Sequence, residues 1–283
     1  MNDIACRIAA LRIHPVKSCA GIALDEALLV ETGFDLDRAW MVVDEGGAML
    51  TQRRWPRMAL VSTRLRSDDL VLRAPGMLAL HLRLDVVERA TRVRVWDDEV
   101  RAFDMGDIAA QWFSDFLGLR ARLVRFDPDE RRLAGREWTG ALEAPTAFAD
   151  AFPLLVLGSA SLAELNARLE RAGHGAVGIE RFRPNLVLDG LEAFDEDHLD
   201  ELAVAADEGP VRLKLVKPCV RCAIPNVDPA SGTSTPEVGA TLAGFRADAR
   251  MNGGITFGMN AVVVEGFERT LRVGQTVEAS YRF

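Results

Sequence analysis

Residues 40–51, with the sequence WMVVDEGGAMLT, carry the clearest signal for the fold. Apolar residues 40–43 and 49–50 flank the turn Asp44–Gly47, so this stretch predicts a β-hairpin. Other short apolar runs surround it within the first hundred residues: Cys6–Ile13, Ile22–Val30, Met58–Leu65, Leu70–Leu72, Leu78–Leu84 and Val93–Trp96. The gaps between these runs are too short for helical crossovers, which predicts a mainly antiparallel β structure for this half of the chain.

A helix and a charged connector follow the predicted strands. Apolar residues recur at helical spacing over Asp107–Gly118, with Asp107 as the predicted N-cap and the glycine as the predicted stop. The next run, Leu119–Phe126, predicts another strand, and the charged stretch Asp127–Pro145 predicts an exposed loop. We place the domain boundary there, which gives an N-terminal domain over residues 1–126 and a second domain over 127–283.

The second half of the chain is again predicted to be rich in strands. Phe152–Leu157 predicts a buried strand, and Ser161 followed three residues later by Glu164 has the form of a capping box that begins a helix. Further strands are predicted at Asn185–Leu188, Val211–Val216, Ala261–Val264 and Leu271–Ala279. The predicted fold class is therefore mainly β (α+β), with a few helices covering the sheets.

Composition narrows the classes of function. The chain has 283 residues, 34 of them basic and 42 acidic, for a net charge of -8. This charge offers no global attraction to nucleic acid or to an anionic membrane, so neither is an expected partner. Asp3, Arg7 and Arg12 interrupt any apolar signal segment, and no apolar run reaches the ~20 residues of a transmembrane helix. A cytoplasmic location is the expectation.

The four cysteines are too sparse for a disulfide framework and point instead to local chemistry. Cys219 and Cys222 lie at the exit of a predicted strand, beside Lys217 and Arg221, whose positive charges stabilise a thiolate. Three interpretations compete: a zinc site, a thioredoxin-like redox pair, and a single cysteine that binds a soft metal in an open site. The sequence Ile224–Pro225–Asn226 opposes the helix that a thioredoxin-like pair requires.

Polar residues gather at the ends of the predicted strands. Lys17 and Ser18 follow the first strand, Arg38 precedes the hairpin, and Arg183 precedes Asn185 at the entrance of a buried strand. Each of these side chains alone is typical of a solvated loop. Their shared position at strand ends predicts one local basic pocket in an acidic protein, and arginine forks suit phosphate. The proline at 184 is expected to keep Arg183 extended.

These motifs together resemble the MOSC-domain proteins, in the subgroup that has an N-terminal MOSC β-barrel domain and includes the YcbX-type proteins and the mitochondrial amidoxime-reducing components. The resemblance covers nearly the whole chain in order. The motifs that carry it are His14–Cys19, Asp37–Trp40, Phe182–Asn185, Cys219–Cys222 with Val227–Pro229, and Phe257–Asn260 with Val273–Gly274.

The resemblance implies a small N-terminal β domain packed on a MOSC β-barrel-like domain, and a molybdenum cofactor (Mo-molybdopterin). By motif position it makes Cys222 the metal ligand and catalytic cysteine, with Cys219 as a neighbour. It also implies a set of cofactor-binding residues: Lys17, Ser18, Arg38, Asp150, Ala151, Arg183, Asn185, Val220, Arg221 and Asn260. The chain departs from the subgroup after Asp150, where relatives tend to carry hydroxyl residues.

The function implied by the resemblance is molybdenum-dependent reduction of small N-hydroxylated compounds. Some relatives continue into an iron–sulfur domain, and this sequence has no further cysteines after Cys222, so electrons are expected from a separate flavoprotein or iron–sulfur protein. The alternative is a carrier or maturation module, in which Cys222 holds sulfur as a persulfide or holds the cofactor for transfer. Asp228 is a candidate proton donor, although its sequence context is also typical of a turn.

Overall fold

A computed structural model describes residues 4–87 and 89–282, so Asp3 lies outside the described residues. Within these ranges the strands are β1 Ile4–Ile13, β2 Ile22–Leu24, β3 Glu26–Val30, β4 Gly33–Phe34, β5 Trp40–Asp44, β6 Ser62–Leu65, β7 Asp69–Arg73, β8 Leu80–Arg83, β9 Arg89–Val95, β10 Asp98–Asp104, β11 Ala121–Phe126, β12 Leu154–Gly158, β13 Leu186–Asp189, β14 Leu199–Ala206, β15 Gly209–Val220, β16 Ala247–Asp248, β17 Gly254–Glu265, β18 Thr270–Arg272 and β19 Thr276–Tyr281. The helices are α1 Asp107–Leu117, α2 Arg136–Thr139, α3 Ser159–Arg171 and α4 Glu237–Ala243.

Seven strands close into a barrel. Their order is β12, β13, β1, β19, β14, β15 and β17, and pairing of β17 with β12 completes the ring. The barrel interior is an apolar cluster that includes Ile8, Leu11, Leu188 and Val277. The mainly β fold with few helices is therefore confirmed. Because β1 pairs with β13 and β19, the first strand of the chain belongs to a sheet built mostly from its second half.

Three smaller sheets accompany the barrel. One contains β5, β11, β10 and β9, another contains β6, β7 and β8, and the third contains β18, β3 and β4. Helix α1 packs Trp112 and Phe116 into the core beneath the first two of these sheets, as its apolar spacing predicted, and Phe113 is buried there as well. Ile108, counted in the same apolar stripe, is 80% exposed instead. The predicted division at residues 126 and 127 stays a prediction.

The hairpin at residues 40–51 is present, and two longer predicted strands are divided. β5 turns at Asp44–Gly47, and Leu50 returns alongside it with its N–H donating to Val42 O at 2.8 Å. The predicted strand Ile22–Val30 separates into β2 and β3 because β2 pairs with β1 while β3 pairs with β4 and β18. The predicted strand Leu271–Ala279 separates into β18 and β19 for the same reason.

Two other local predictions are wrong. Helix α3 begins at Ser159, so Ser161 lies inside it, and its Oγ donates to the buried Glu196 at 2.7 Å instead of capping the helix. The segment Asp127–Pro145 is not simply an exposed loop. It contains α2, and Arg132 is buried because its guanidinium donates to the carbonyl oxygens of residues 147 and 149.

The described helices are all too short, or too polar, to cross a bilayer. The predicted cytoplasmic location stays a prediction.

Gly258 allows a close backbone approach at the seam of the barrel between β17 and β12, and its replacement should separate the two strands. Gly258 has a φ of +80°, and a Cβ placed on it would lie 2.8 Å from Val156 O of β12. We expect Gly258→Ala to lower the free energy of unfolding by about 3 kcal/mol, because it adds a backbone clash to the strain of a left-handed residue. Urea unfolding with linear extrapolation measures the change.

Gly274→Ala is the matched control. Gly274 also has a positive φ, +89°, but no atom lies within 4 Å of its added Cβ. Only the conformational strain of a left-handed residue remains, so we expect Gly274→Ala to lower the free energy of unfolding by about 1 kcal/mol. Equal losses in the two variants would show that the seam contact does not limit stability.

Candidate functional site

A pocket forms where loops from the N-terminal half meet the ends of the barrel strands. It contains about 790 Å³ of space between atoms, part of which is open to solvent. The loop after β1, the segment before β5, the segments before β12 and β13, and the end of β15 with the loop that follows it all contribute. Every predicted site residue lines this pocket: Lys17, Ser18, Arg38, Asp150, Ala151, Arg183, Asn185, Val220, Arg221, Cys222 and Asn260.

Asp37 is a buried carboxylate behind the pocket that joins three of its segments. Its Oδ1 accepts a hydrogen bond from the backbone N–H of His14 at 2.6 Å, and its Oδ2 accepts from Asn185 Nδ2 at 2.9 Å and from the Arg38 guanidinium. Arg38 also donates to Asn185 Oδ1 at 2.9 Å. Burial alone would raise the pKa of Asp37, but the charge of Arg38 and the hydrogen bonds and charge supplied by His14 and Arg38 together outweigh it, and the pKa falls to about 2. The carboxylate is therefore ionised and holds Arg38 and Asn185 in place.

Arg183 faces the pocket with part of its guanidinium unsatisfied. Its Nη1 donates to Cys19 O at 2.5 Å, and its backbone carbonyl accepts from Arg38 Nη2 at 3.1 Å. The buried Nη2 has no hydrogen-bond partner among the described residues. Burial, together with the positive charge of Arg38, lowers the pKa of Arg183 to about 10, so the side chain still carries its charge at neutral pH.

Three of the predicted site residues have a left-handed backbone. The φ angles are 67° for Ser18, 49° for Arg38 and 57° for Arg183. The expectation that Arg183 is extended is therefore wrong, because its N–H closes a turn onto Glu180 O at 3.2 Å. Each such residue costs about 1 kcal/mol, and strained residues of this kind cluster at functional sites.

Lys17 is buried beside the pocket and paired with Asp150. Its Nζ donates to Asp150 Oδ1 at 2.5 Å and to Phe148 O at 2.7 Å. Burial lowers the pKa of Lys17. Desolvation raises the pKa of Asp150, but Lys17 and Arg53 more than compensate and hold it well below its ordinary value. The backbone N–H of Lys17 donates to Trp40 O at 2.8 Å.

The two cysteines of the motif differ in their surroundings. Cys219 is partly buried on β15, and its Sγ accepts from Arg221 Nη1 at 3.0 Å. Cys222 follows the end of the strand and is exposed, with its Sγ accepting from the Ile224 N–H at 3.5 Å. A short 3₁₀ turn, Ile224–Asn226, comes next, in place of the long helix of a thioredoxin-like site. Both cysteines line the pocket, and Cys222 is the more exposed of the two.

The remaining predicted residues form the less charged wall of the pocket. Val220 is 45% exposed at the end of β15. Asn260, on β17, donates from its Nδ2 to Lys217 O at 3.2 Å, which orients its amide beside the cysteine loop. Ala151 is exposed and follows Asp150, so it can offer only its backbone to a ligand there.

The electrostatics of the pocket suit an anion. Asp150 is the one carboxylate that lines it among the described residues, against five cationic side chains: Lys17, Arg38, Arg53, Arg183 and Arg221. The Nε of Arg221 is, like Arg183 Nη2, buried without a hydrogen-bond partner in the described part of the chain. Buried donors are costly when left unpaired, so both nitrogens favour the presence of acceptor atoms that the described residues do not supply.

Sequence reasoning missed Thr51, Arg53 and the supporting Arg132. Thr51 and Arg53 line the pocket just beyond the return arm of the hairpin, and Arg53 Nη2 donates to Asp150 Oδ2 at 3.2 Å. Arg132 Nη2 donates to Asp150 O at 3.1 Å from behind. The predicted hairpin ends at Thr51, where the Thr51–Arg54 stretch begins. No spacing rule indicates which side chains of that stretch point into the pocket.

Family comparisons agree with this architecture. The profile of the MOSC N-terminal beta barrel domain matches residues 5–120, and the profile of the MOSC domain matches residues 143–278. The chain belongs to the MOSC-domain family, in the group that carries this N-terminal barrel domain and includes the mitochondrial amidoxime-reducing components, as the sequence motifs predicted.

Two relatives illustrate how near the match is. Mitochondrial amidoxime reducing component 2 of Bos taurus is 39% identical over 234 residues, which cover 80% of this chain and 67% of that protein. Mitochondrial amidoxime reducing component 2 of Homo sapiens is 36% identical over 80% of this chain and 68% of its own length. Among solved structures, the YuaD protein of Bacillus subtilis aligns over the full length of both chains at 12% identity, with a TM-score of only 0.46.

Replacement of the Asp37 carboxylate should destabilise the protein in a pH-dependent way. Asp37→Asn removes a charge that faces Arg38 in a buried site, and we expect a loss of about 3 kcal/mol at pH 7. Because the pKa of Asp37 is lowered from 3.8 to about 2, its stabilising contribution is complete above about pH 4 and disappears as the pH falls through 2. Urea unfolding at pH 7 and pH 3 should show the difference from wild type narrowing.

Asp85→Asn serves as the control, since Asp85 is an exposed carboxylate paired with Arg83 at 2.8 Å. Solvent screens that pair, so the free energy of unfolding should be nearly unchanged. If Asp37→Asn lowered the free energy of unfolding equally at pH 7 and pH 3, the conclusion that Asp37 is an ionised carboxylate in the folded protein would be contradicted.

Proposed function

We propose that this chain is a molybdenum cofactor-dependent oxidoreductase that reduces N-hydroxylated compounds such as amidoximes, with electrons from a separate protein. The observation that carries the proposal is the convergence on one pocket of the eleven residues that the family resemblance implied, with an exposed cysteine at its wall. The names of the relatives, which are amidoxime-reducing components, support the substrate class.

The pocket fits the phosphate and the polar pterin edge of such a cofactor. Lys17, Arg38 and Arg183 present positive charge to it, and Arg183 Nη2 and Arg221 Nε lack hydrogen-bond partners in the described structure. A dianionic phosphate is costly to bury unless it meets donors of this kind. Ser18, Asn185, Val220 and Asn260 would complete the binding surface with further polar and packing contacts.

Cys222 is the residue we assign to the metal. Its thiol is exposed to the pocket, and a thiolate is a ligand suited to a soft metal. The cofactor, when bound, would supply the two-electron redox chemistry. The Ile224 N–H donates to Cys222 Sγ at 3.5 Å and orients it, while the Arg221 guanidinium donates to the neighbouring Cys219 Sγ at 3.0 Å.

Protons for the reduction are expected from solvent at the open mouth of the pocket. Asp150 is held ionised by Lys17, so at neutral pH it balances charge and has no proton to donate. Asp228, the candidate donor from the sequence, caps its own turn by accepting from the Ala230 N–H at 2.7 Å and lies 3.4 Å from Arg181. The turn interpretation of Asp228 therefore fits its contacts.

Substitution of the two cysteines separates the proposed ligand from its neighbour. In Cys222→Ser we expect molybdenum content to fall from near stoichiometric to background, and benzamidoxime reduction with an artificial electron donor to be lost. Cys219→Ser should keep most of the metal, because Cys219 is occupied by Arg221 and is less accessible. Elemental analysis of the purified proteins and an assay for benzamidine formation provide the two measurements.

Two results would reverse this assignment. Loss of metal in Cys219→Ser with retention in Cys222→Ser would exchange the roles of the two thiols. Purification without metal but with cyanide-releasable sulfur on Cys222 would favour the carrier function over the reductase.

Arg183→Lys tests the anion-binding part of the proposal. Lysine cannot place a donor where the unpaired Nη2 lies, and a hydrogen bond to a charged group contributes about 1.5–3 kcal/mol. We therefore expect the pterin to dissociate roughly 10- to 100-fold more readily, measured as pterin fluorescence lost during dialysis.

Arg181→Lys is the matched control two residues away. Arg181 lies outside the pocket lining and lies beside the Asp228 carboxylate, so its replacement should leave pterin retention unchanged. Equal losses from both variants would indicate a general effect on this loop.

A further inference from the structure

Arg53 is a cation of the pocket that keeps most of its hydrogen-bond donors free. Its Nη2 donates to Asp150 Oδ2 at 3.2 Å, which uses one of the five N–H groups of the guanidinium. The side chain makes no other hydrogen bond within residues 4–87 and 89–282, whereas Arg38 donates to three different groups. The Arg53 side chain is also 24% exposed, against 6% for Lys17, so it lies at the outer edge of the pocket.

The charges around Arg53 do not cancel. Asp150 is shared by two cations, because it accepts from Lys17 Nζ at 2.5 Å as well as from Arg53. One negative and two positive charges leave a net charge of +1 on this group of three side chains. Lys17 is buried, so the excess positive charge meets solvent at Arg53.

Trp96 restricts the guanidinium of Arg53. The carbon at the centre of the guanidinium lies 4.5 Å from the centre of the Trp96 ring, and Trp96 itself is 46% exposed. A ring stacked on a guanidinium holds the plane of the arginine without neutralising it. The N–H groups point outward in that plane, so they remain free to donate.

The backbone at Trp96 is unusual for a tryptophan. Trp96 and Asp97 form the two-residue turn between β9 and β10, and the φ of Trp96 is 57°. The first position of such a turn favours glycine. A large side chain in this conformation is strained, and strained residues are found most often at functional sites. The ring is therefore held in its place over Arg53 against the preference of the turn.

A second contact ties the same turn to the pocket. Asp98, the first residue of β10, accepts from Arg132 Nε at 2.7 Å, and Arg132 Nη2 donates to Asp150 O at 3.1 Å. The turn is thus joined to the Asp150 segment through both Arg53 and Arg132. Because Asp98 is paired with Arg132, it does not compensate the charge of Arg53.

Arg53 differs in kind from the two arginines with unpaired buried nitrogens. Arg183 and Arg221 are held by carbonyl oxygens, those of Cys19 and Phe182, and their unpaired atoms are closed off from solvent. Such donors suit a ligand that stays bound. The free donors of Arg53 are at the outer edge, where water can be exchanged for a ligand that arrives and leaves in each turnover.

We propose that Arg53, positioned by Trp96, binds an anionic group of the substrate, so that the pocket prefers N-hydroxylated compounds that carry a carboxylate. This inference rests on the proposed function, in which an amidoxime, two electrons and two protons give an amidine and water. A guanidinium fork matches a carboxylate in both charge and geometry. An uncharged substrate offers no such partner to the excess positive charge at Arg53.

Arg53→Gln tests the proposal with benzamidoxime and its 3-carboxy and 4-carboxy derivatives, reduced with methyl viologen as the artificial electron donor. In wild type we expect the better carboxy derivative to have a KM at least 10-fold below that of benzamidoxime, because a hydrogen bond to a charged group is strong. In Arg53→Gln this difference should shrink to less than threefold. The ratio of the two kcat values should not change, since Arg53 contacts a group remote from the reacting nitrogen.

Arg54→Gln is the matched control. Arg54 is the next residue, its guanidinium lies 5.0 Å from the ring centre of Trp55, and it lies outside the pocket lining. The change in charge is the same, so the KM difference between the two substrates should stay within twofold of wild type.

Two variants of Trp96 test its positioning role, and they keep the proposal testable if Arg53→Gln does not fold. Trp96→Gly suits the turn but removes the ring, so we expect it to unfold at no lower urea concentration than wild type and to reduce the KM difference about threefold. Trp96→Phe keeps an aromatic face and should preserve that difference.

Four outcomes would overturn the inference. They are equal KM values for benzamidoxime and both carboxy derivatives in wild type, an unchanged difference in Arg53→Gln, an equal loss in Arg54→Gln, and a loss of bound pterin from Arg53→Gln as large as that from Arg183→Lys. The last result would mean that Arg53 binds the phosphate of the cofactor and not the substrate. Absence of benzamidoxime reduction in wild type would instead contradict the proposed function, so the two failures are distinguishable.

Discussion

The ionised Asp37 carboxylate is the interaction on which the candidate site depends. Asp37 is only 4% exposed and lies behind the pocket. Its carboxylate joins three segments, because it accepts hydrogen bonds from His14 at the exit of β1, from Arg38 before β5 and from Asn185 before β13. These three segments come from distant parts of the sequence, and the carboxylate accepts a hydrogen bond from each. Because an unpaired buried charge is so costly, the arrangement around Asp37 requires all three segments to be in place, and the pocket forms together with it.

Buried carboxylates such as Asp37 also explain how an acidic protein can hold several cationic side chains in one small pocket. Arg38 is paired with Asp37, and Lys17 and Arg53 share Asp150, so three of the five pocket cations are paired with carboxylates before any ligand arrives. Arg183 has no such partner, and burial with a neighbouring guanidinium lowers its pKa to about 10. A pocket that carries uncompensated positive charge is destabilised when empty. An anionic ligand would remove that destabilisation, which couples ligand binding to the stability of the fold.

Much of this arrangement could be predicted from the sequence. The strands and the site residues were predictable for different reasons. Apolar runs such as Trp40–Val43 predict strands because the pattern of buried residues is local in the sequence. The order of the motifs along the chain identifies the family. Which strands pair is a property of the whole chain, so the division of Ile22–Val30 between two sheets was not predictable. The site residues lay in recognisable motifs, but the inward direction of Arg53 depends on Asp150, a hundred residues away.

The contrast between the two cysteines shows how a backbone detail assigns a chemical role. Cys219 lies on β15, where pairing with β17 holds it partly buried and within 3.0 Å of Arg221. The strand ends at Val220, so two residues later the chain has left the sheet and Cys222 is exposed, with one backbone N–H directed at its sulfur. A Cys-x-x-Cys spacing is symmetric in sequence, whereas the end of a strand inside it is not. That asymmetry makes Cys222 the more exposed of the two cysteines that line the pocket.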